Sequence, residues 1–566
     1  MEAIQPFPDS APTVVEERLP RAVTASSRWL ALSAIVLSSL VLGLDSTILV
    51  TALPTLSSGL GATTSQLQWI SAAYLLALSG LMIPAGVLGD RLGRRRTLLV
   101  ALVIFGLSSV AASQMTAPGG LILMRAVMGI GGAFIAPISL AILPTIFSES
   151  DRPRAIAIGG AGMFLGLPAG PLVAGWLLTH YDWGSIFLIN VPFVTLAVLG
   201  VWLFIPESRD SKASRLDLIG AALAIVAVTA LVYGVIEQPG HGWSDATVLA
   251  GMLSGALLLT GFTIWELRTR SPLVDLRLFL NPGFSCSILA SAAMSFGLMG
   301  VLFVFTPFLQ VVQGNDAQAT GVRLLPLIGG IVLGALASDR LAARLGARVM
   351  LALGLLICAA GMALMSLIGA GSGYGLLLLA LPVIGVGNAF VLFTAFNVIL
   401  EILPASQTGA GSALTKTLGQ IGSSFGVAIM GSVLNGAYRA QLAEHIAGVP
   451  IHLKGVAEGS VAGAALIARH LPAPFGSHVQ LAAYDAYSTG MSDVLRVSAG
   501  LMVVAALFIW TFMPASAEAG PLAEVVTRSK SMRTTGSLDA KYAKEQESKA
   551  RGENQVGVSY GVEQLQ

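Results

Sequence analysis

The stretch GVLGDRLGRRR, from Gly86 to Arg96, decides the fold of this chain, because its pattern returns in GALASDRLAARLGAR, from Gly334 to Arg348. Both copies contain a glycine, then Asp-Arg-Leu, then a second glycine with arginines after it. Each copy also joins two long apolar segments. Two copies in the same orientation predict a chain built as a parallel repeat of two similar halves.

The composition places these halves in a membrane. The chain has 566 residues, of which 55% are hydrophobic and 11% charged, and its mean hydropathy is +0.79. A soluble globular protein has about 25% charged residues. The net charge of +2 is uninformative about a nucleic-acid partner. The two cysteines, Cys286 and Cys358, fall in or beside apolar segments, so neither a disulfide framework nor a CxxC metal pair is expected.

The apolar segments predict an all-α membrane protein with fourteen transmembrane helices, since a span needs roughly 20 apolar residues. The spans lie near 29–50, 69–89, 97–116, 119–143, 154–178, 184–205, 216–236, 246–266, 284–310, 323–339, 348–369, 373–398, 407–436 and 494–514. The residues before the first span are rich in proline and lack the basic start of a signal peptide, so that span is expected to be retained.

Arginine and lysine are concentrated in alternate loops, which the positive-inside rule places in the cytoplasm. These loops hold Arg91, Arg94, Arg95, Arg96, Arg152, Arg154, Arg209, Lys212, Arg215, Arg268, Arg270, Arg277, Arg340, Arg344 and Arg348. The outer loops hold almost none, with Arg323 as the exception. An even number of spans then predicts that both termini lie in the cytoplasm. The expected location is the plasma membrane, a bacterial inner membrane.

This topology predicts five regions. They are a cytoplasmic tail (1–28), a six-helix half (29–205), two inserted helices with linkers (206–283), a second six-helix half (284–514) and a disordered cytoplasmic tail (515–566). Within the second half, 437–493 is expected to be a long extracytoplasmic connection with short surface helices. All six histidines fall on the outer side, where ordinary loop composition and a pH-sensing or metal role both stay open.

The repeated motif predicts an inner latch, a set of contacts that forms in one conformation and breaks in another. Gly86 would let two helices approach closely, and Asp90 would pair with arginines or cap a neighbouring helix N-terminus. The latch residues are Gly86, Asp90, Arg91, Gly93, Arg94, Arg95, Asp339 and Arg340. The alternative is that these arginines serve only to set the topology.

Several motifs together resemble the major facilitator superfamily, and within it the fourteen-span drug:proton antiporter branch. GVLGDRLGRRR is similar to the signature loop after the second span. The other stretches that carry the resemblance are LDSTILVTALP (Leu44 to Pro54), LILMRAVMGIGGA (Leu121 to Ala133), GMFLGLPAGPLVAG (Gly162 to Gly175), WGSIFLINVP and PLVDLRLF. The resemblance covers about 29–514 and implies the fold of this superfamily, but it implies no particular substrate.

Two charges lie within the predicted spans of the first half. Asp45 lies deep in the first span, and the resemblance assigns it a proton or substrate role. Arg125 lies in the fourth span and stays charged at any relevant pH, so it must be paired or wetted. Asp45 is the expected partner, since these two spans line the cavity in the resembled superfamily. The alternatives are a helix-packing acid hydrogen-bonded to Ser46 or Thr47, and a static buried ion pair.

The fifth span carries small residues at four-residue spacing, Gly162, Gly166, Gly170 and Ala174, which permit tight packing against another helix. The residues assigned to this antiporter motif are Gly162, Gly166, Gly170, Pro171 and Gly175. In the resembled branch the segment seals one side of the cavity and distinguishes exporters from importers. Simple close packing is compatible with that role.

Aromatic and amide side chains predict an amphiphilic pocket in the second half. The residues assigned to this substrate cavity are Phe303, Asn388, Phe393 and Asn397, although phenylalanines in spans also face lipid.

A lysine, Lys416, lies within the thirteenth span in GSALTKTLGQIG. A charge at bilayer depth is costly, so it is a functional hypothesis by default. The stretch resembles one in which many relatives carry an acid at this position. Lys416 could pair with Asp45, titrate, bind an anionic group of a substrate, or simply reach the aqueous edge.

The leading interpretation is a proton-coupled antiporter that exports amphiphilic, drug-like molecules by alternating access. The alternatives are a proton-coupled importer of a small nutrient, a dedicated exporter of one self-made metabolite, and a sensor or pore. No P-loop, metal cluster or nucleophile motif is recognised, so no enzyme activity, metal or cofactor is expected, and the proton gradient supplies the energy. The expected partners are the substrate, protons and the lipid bilayer, with no nucleic acid, and the chain is expected to be a monomer.

Overall fold

The computed structural model describes residues 25–148, 151–209, 217–269, 272–403, 408–446, 448–472 and 474–514. Within these ranges every regular element is helical, which confirms the all-α prediction. The predicted C-terminal tail and residues 1–24 of the predicted N-terminal tail lie outside the described residues.

Eighteen α-helices are present in the described chain. They are α1 (Ala25–Leu60), α2 (Thr64–Leu92), α3 (Arg94–Ser113), α4 (Pro118–Ile146), α5 (Arg152–His180), α6 (Ser185–Leu188), α7 (Asn190–Phe204), α8 (Leu218–His241), α9 (Ala246–Arg268), α10 (Pro282–Pro307), α11 (Ala317–Arg323), α12 (Leu325–Leu345), α13 (Ala347–Met365), α14 (Tyr374–Ile402), α15 (Thr408–Ala443), α16 (Ile451–Gly459), α17 (Val461–Ala468) and α18 (Phe475–Phe512). A 3₁₀ turn (Leu276–Leu280) precedes α10, and a π-helical turn (Phe308–Val312) extends it.

The helices make this a multi-pass membrane protein. In the described part of the chain, 13 helical segments are long and apolar enough to cross a membrane. Among them, α6 joins α7 and α11 joins α12 into single spans. Helix α5, with 29 residues, lies where the fifth span was predicted, and with it the segments match the fourteen predicted ones.

The last span differs most from its prediction, because α18 begins at Phe475 rather than near 494. Its added turns bury Val479, Ala483, Ala486 and Met491, which recur at helical spacing on one face. Polar residues between them interrupt the apolar segment, which is why the span was predicted to begin later. The predicted 437–493 connection is therefore largely helical, with α16 and α17 between the ends of α15 and α18.

Two tight turns mark one face of the bundle. Gly93 lies between α2 and α3, and Gly346 lies between α12 and α13, with φ of +111° and +80°. Glycine adopts such angles at little cost, so the sequence repeat produces the same local structure twice. We call this end of the bundle the arginine-rich face, because Arg94–Arg96, Arg344 and Arg348 lie there. The other end is called the opposite face.

The two predicted halves, α1–α7 and α10–α18, meet toward the opposite face. Helix α1 packs against α10, α2 against α15, and α5 against α11. In contrast, α4 and α14 make no more than marginal contact with the other half among the described helices. The halves therefore stay apart at α4 and α14, while along α2 and α15 the junction continues toward the arginine-rich face, where Ile83 packs against the apolar cluster around Leu414.

The inserted helices α8 and α9 form a hairpin on the outside of this junction. Glu237 of α8 accepts hydrogen bonds from Ser65 Oγ (3.2 Å) and Trp69 Nε1 (2.9 Å) of α2. Ser432 Oγ of α15 donates to the carbonyl of Val235 at 2.8 Å. The hairpin thus contacts both halves where α2 and α15 meet, without standing between them.

Candidate functional site

A buried ion pair lies at the centre of the first half. Arg125 Nη1 of α4 contacts Asp45 Oδ2 of α1 at 2.7 Å, and the two side chains are 2% and 0% exposed. Arg125 Nε also donates to the carbonyl of Ile70 at 3.3 Å. The expected pairing of Asp45 with Arg125 is therefore present in this conformation, while its functional role stays a prediction.

Three further side chains complete this cluster. Asn190 Nδ2 at the start of α7 donates to Asp45 Oδ1 (3.4 Å) and to Ser109 Oγ of α3 (3.1 Å). The guanidinium carbon of Arg125 lies 4.2 Å from the ring centre of Tyr74, which is cation–π distance. The carboxylate therefore has two side-chain partners from two other helices, and Arg125 is held by a carboxylate, a carbonyl and an aromatic face.

The small residues of α5 place the Asp45 segment of α1. A Cβ added at Gly166 would lie 2.5 Å from both the Leu40 oxygen and the Leu44 nitrogen, distances that real Cβ atoms do not show. Added Cβ atoms at Gly162 and Gly170 would likewise meet α1. The stripe is thus the surface on which the backbone around Asp45 rests.

The same helix takes part in the junction between the halves. A Cβ at Gly175 would lie 2.6 Å from the Gln318 Cα of α11, and a Cβ at Gly321 of α11 would meet the carbonyl of Pro171. Both contacts lie near the end of α5 at the opposite face. The predicted motif residues therefore divide into a part that packs on α1 and a part that contacts the other half.

Gln68 of α2 forms hydrogen bonds to α15 across the junction between the halves. Its Nε2 lies within hydrogen-bonding distance of the carbonyls of Val427 (3.2 Å) and Ala428 (2.8 Å) and of Ser432 Oγ (3.2 Å). Gln310 Nε2, just beyond α10, donates to the carbonyl of Thr51 at 2.7 Å. These bonds lie in the half of the bundle nearer the opposite face, which keeps that face closed.

The latch residues interact within their own halves in this conformation. Asp90 Oδ1 pairs with Arg94 Nε at 2.7 Å, and Asp339 Oδ1 accepts from Asn397 Nδ2 at 3.3 Å. Arg95 donates to the carbonyl of Trp202. Arg340 is exposed. Arg91 is not a free charge, because it also has a partner within the structure.

The cap of α3 comes from a residue outside the motif. Glu207 accepts the backbone N–H groups of Arg95 (3.2 Å) and Arg96 (3.3 Å), and it pairs with Arg96 at 3.6 Å. A Cβ at Gly93 would lie 2.6 Å from this carboxylate. Gly93 is therefore required by both its φ and the carboxylate above it.

The role predicted for Gly86 is wrong in this structure. A Cβ there would meet only Pro137, at the ordinary contact distance of 3.8 Å. The close approach of α2 to α4 occurs one turn later, at Gly89, where a Cβ would lie 2.7 Å from the Ile138 side chain. Gly86 and Gly89 both face α4. Only the packing of the folded helices shows which of the two glycines permits the close approach.

The four predicted substrate residues do not form one compact pocket. Phe303 is buried near the opposite-face end of α10 and packs at Gly431 of α15, whereas Asn397 is exposed near the arginine-rich end of α14. At 1.5 Å per residue their depths differ by roughly 20 Å. Asn388 is buried and Phe393 half-buried between these levels. Helices that run in opposite directions place them at different depths, so their assignment to one substrate cavity stays a prediction.

Lys416 lies apart from the Asp45 cluster. It is roughly 12 Å along α15 from Thr408, the end at the arginine-rich face. Its side chain is exposed. Within the described chain no ion pair or hydrogen bond involves its ammonium. The pairing with Asp45 that was one of its predicted roles is absent here, since Arg125 holds that carboxylate.

Comparison with known proteins agrees with the motifs. A family model described as the Major Facilitator Superfamily matches residues 35–427. The chain is 31% identical over 485 residues to the tetracenomycin C resistance and export protein of Streptomyces glaucescens, covering 84% of this chain and 90% of that protein. It is also 31% identical over 491 residues to the multidrug efflux pump LfrA of Mycolicibacterium smegmatis, covering 86% and 96%.

A solved structure shares the fold. The bacterial homolog to the human lysosomal transporter Spinster, in an inward-facing and unoccupied conformation, superposes with a TM-score of 0.61. The match covers 86% of this chain and 97% of that chain at 17% sequence identity, so it shows the fold alone.

Proposed function

The chain belongs to the Major Facilitator Superfamily, and from that premise we propose that it is a proton-coupled antiporter that exports amphiphilic, drug-like organic molecules. The observation that carries the proposal is the buried Asp45–Arg125 pair. A buried carboxylate whose partner can change between a guanidinium and a proton provides a way to link proton movement to conformation. The relatives named for drug export and multidrug efflux support the nature of the cargo.

The energetics of the pair supply the coupling. Removing one partner of a buried ion pair typically costs about 3–5 kcal/mol, because the other charge is left uncompensated. Arg125 cannot lose its proton, so protonation of Asp45 must be accompanied by a rearrangement that wets or re-pairs the guanidinium. Proton binding and a change of conformation therefore occur together.

The described conformation fits the loading stage of an exporter. By the positive-inside rule the arginine-rich face and both termini lie in the cytoplasm. The membrane in this proposal is a bacterial inner membrane. The space between the halves then opens to the cytoplasm, while the contacts of Gln68 and Gly175 close the outer side. In this state Asp45 and Arg125 are paired, and a substrate can enter from the cytoplasm or the inner leaflet.

A dedicated exporter of a single metabolite is the second candidate. It is favoured by the relative that is named for tetracenomycin C resistance and export. Under either candidate the chain acts as a monomer, catalyses no covalent chemistry and uses the proton gradient in place of a cofactor. A resistance screen across unrelated drugs distinguishes a broad exporter from a dedicated one.

Everted membrane vesicles from a pump-deficient host test the direction and the energy source. Respiring vesicles acidify their lumen, so vesicles that contain the protein are expected to accumulate a fluorescent amphiphile severalfold above empty controls. A protonophore should abolish the difference. Accumulation that survives the protonophore would contradict antiport, and accumulation only in right-side-out vesicles would indicate an importer.

A further inference from the structure

Lys416 lies on a face of α15 that packs against neither main partner of this helix. Gly422 and Gly426 contact the backbone of α10, and the segment around Ser432 contacts Gln68 of α2. With 3.6 residues per turn, Lys416 lies roughly a quarter turn from each of these contact faces. It therefore points into the space between the halves, on the side that is open to the arginine-rich face.

The ammonium of Lys416 sets the charge of this space. Asp45 and Arg125 compensate each other and are buried. The carboxylates of Glu401 and Asp339 are exposed near the ends of α14 and α12 at the arginine-rich face, and in the described chain neither pairs with Lys416. A single cation between low-dielectric walls produces a positive potential that concentrates anions and repels cations.

We propose that Lys416 is the recognition point for an anionic group, a carboxylate or sulfonate, carried by an amphiphilic substrate. An ammonium donates charge-assisted hydrogen bonds to such a group, and these are stronger than neutral ones. The same charge disfavours a dication at this site, so one residue supplies both the attraction and the repulsion that make a binding site specific. This inference rests on the proposed export function, whose substrate class it names.

Two fluorescent probes that have nearly the same ring system but differ in charge test whether the Lys416 ammonium recognises an anionic group. The sulfonate 8-anilinonaphthalene-1-sulfonate and the neutral N-phenyl-1-naphthylamine both become fluorescent in apolar sites, and their binding to the purified full-length chain in detergent gives two dissociation constants. Lys416→Met is expected to weaken binding of the sulfonate about tenfold and to leave the neutral probe within about twofold. Lys416→Arg should keep the wild-type ratio. Lys454→Met, which removes a lysine from α16, is the matched control and should change neither constant.

The outcomes separate recognition from structure. Equal weakening of both probes by Lys416→Met, or no weakening of either, would overturn the proposal. Lys416→Asp is expected to invert the preference, so that methyl viologen, a dication, binds more tightly than it does to wild type. Tighter binding of methyl viologen than of the sulfonate by the wild type would also overturn it. Because binding in detergent needs no gradient, failed antiport in vesicles with an intact probe ratio would refute the proposed function alone.

Discussion

Replacing Asp45 with asparagine is expected to lower export driven by a pH gradient at least tenfold, to the level of membranes without the protein. Asparagine cannot carry the exchangeable proton, and it leaves the Arg125 guanidinium buried without a carboxylate. The uncompensated charge should also cost about 3–5 kcal/mol of stability. The measurement is dye accumulation in everted vesicles, normalised to the amount of folded protein.

A double variant distinguishes lost coupling from lost folding. Asp45→Asn combined with Arg125→Met removes both charges, so it should regain thermal stability relative to the single variant. It should remain unable to couple export to the gradient, because no titratable carboxylate is restored. Gradient-driven export by either variant near the wild-type rate would refute the role of Asp45.

Gly166→Ala is expected to have the second-largest effect, with loss of most transport and a lower melting temperature. The new Cβ would lie 2.5 Å from backbone atoms of Leu40 and Leu44, which a change of rotamer cannot relieve. Overpacking of this kind typically costs about 1–3 kcal/mol. Because Asp45 follows Leu44 directly, the displacement would reach the ion pair.

Helix α5 also provides the matched control. A Cβ at Gly160 would meet nothing within 4 Å, so Gly160→Ala changes the same residue type on the same helix without a steric clash. It should be neutral or slightly stabilising, since alanine favours the helix by up to about 1 kcal/mol. Similar losses from both substitutions, in melting temperature and in transport, would show that the stripe is not what positions Asp45.

The sequence predicts the membrane class, the fourteen spans and the pairing of Asp45 with Arg125 because each has a local signal. Apolar length defines the spans, and Asp45 and Arg125 are two unusual charges in apolar helices. The repeat predicted from the two Asp-Arg-Leu copies also has a structural counterpart, since each copy is followed by a glycine turn, at Gly93 and at Gly346.

The contacts that could not be predicted from the sequence are those that depend on which helix faces meet in the folded bundle. Asn190 is an ordinary polar residue in WGSIFLINVP, and only the packing of α7 against α1 and α3 brings it to Asp45. Glu207 caps α3 from more than a hundred residues away in the chain. Tyr74 had a usable signal, since an aromatic side chain within a span can stack on a buried arginine. For the predicted substrate pocket, the side-chain types could be read from the sequence, but the depth of each residue along its helix in the bundle could not.

The central claim is that proton and substrate move in opposite directions through one protein, and proteoliposomes with a trapped pH indicator test it most directly. A substrate gradient imposed without any pH gradient should drive protons the other way, so the lumen pH should change when substrate is added and should stay constant with Asp45→Asn. Downhill substrate movement by the wild type with no accompanying change in lumen pH would contradict the account.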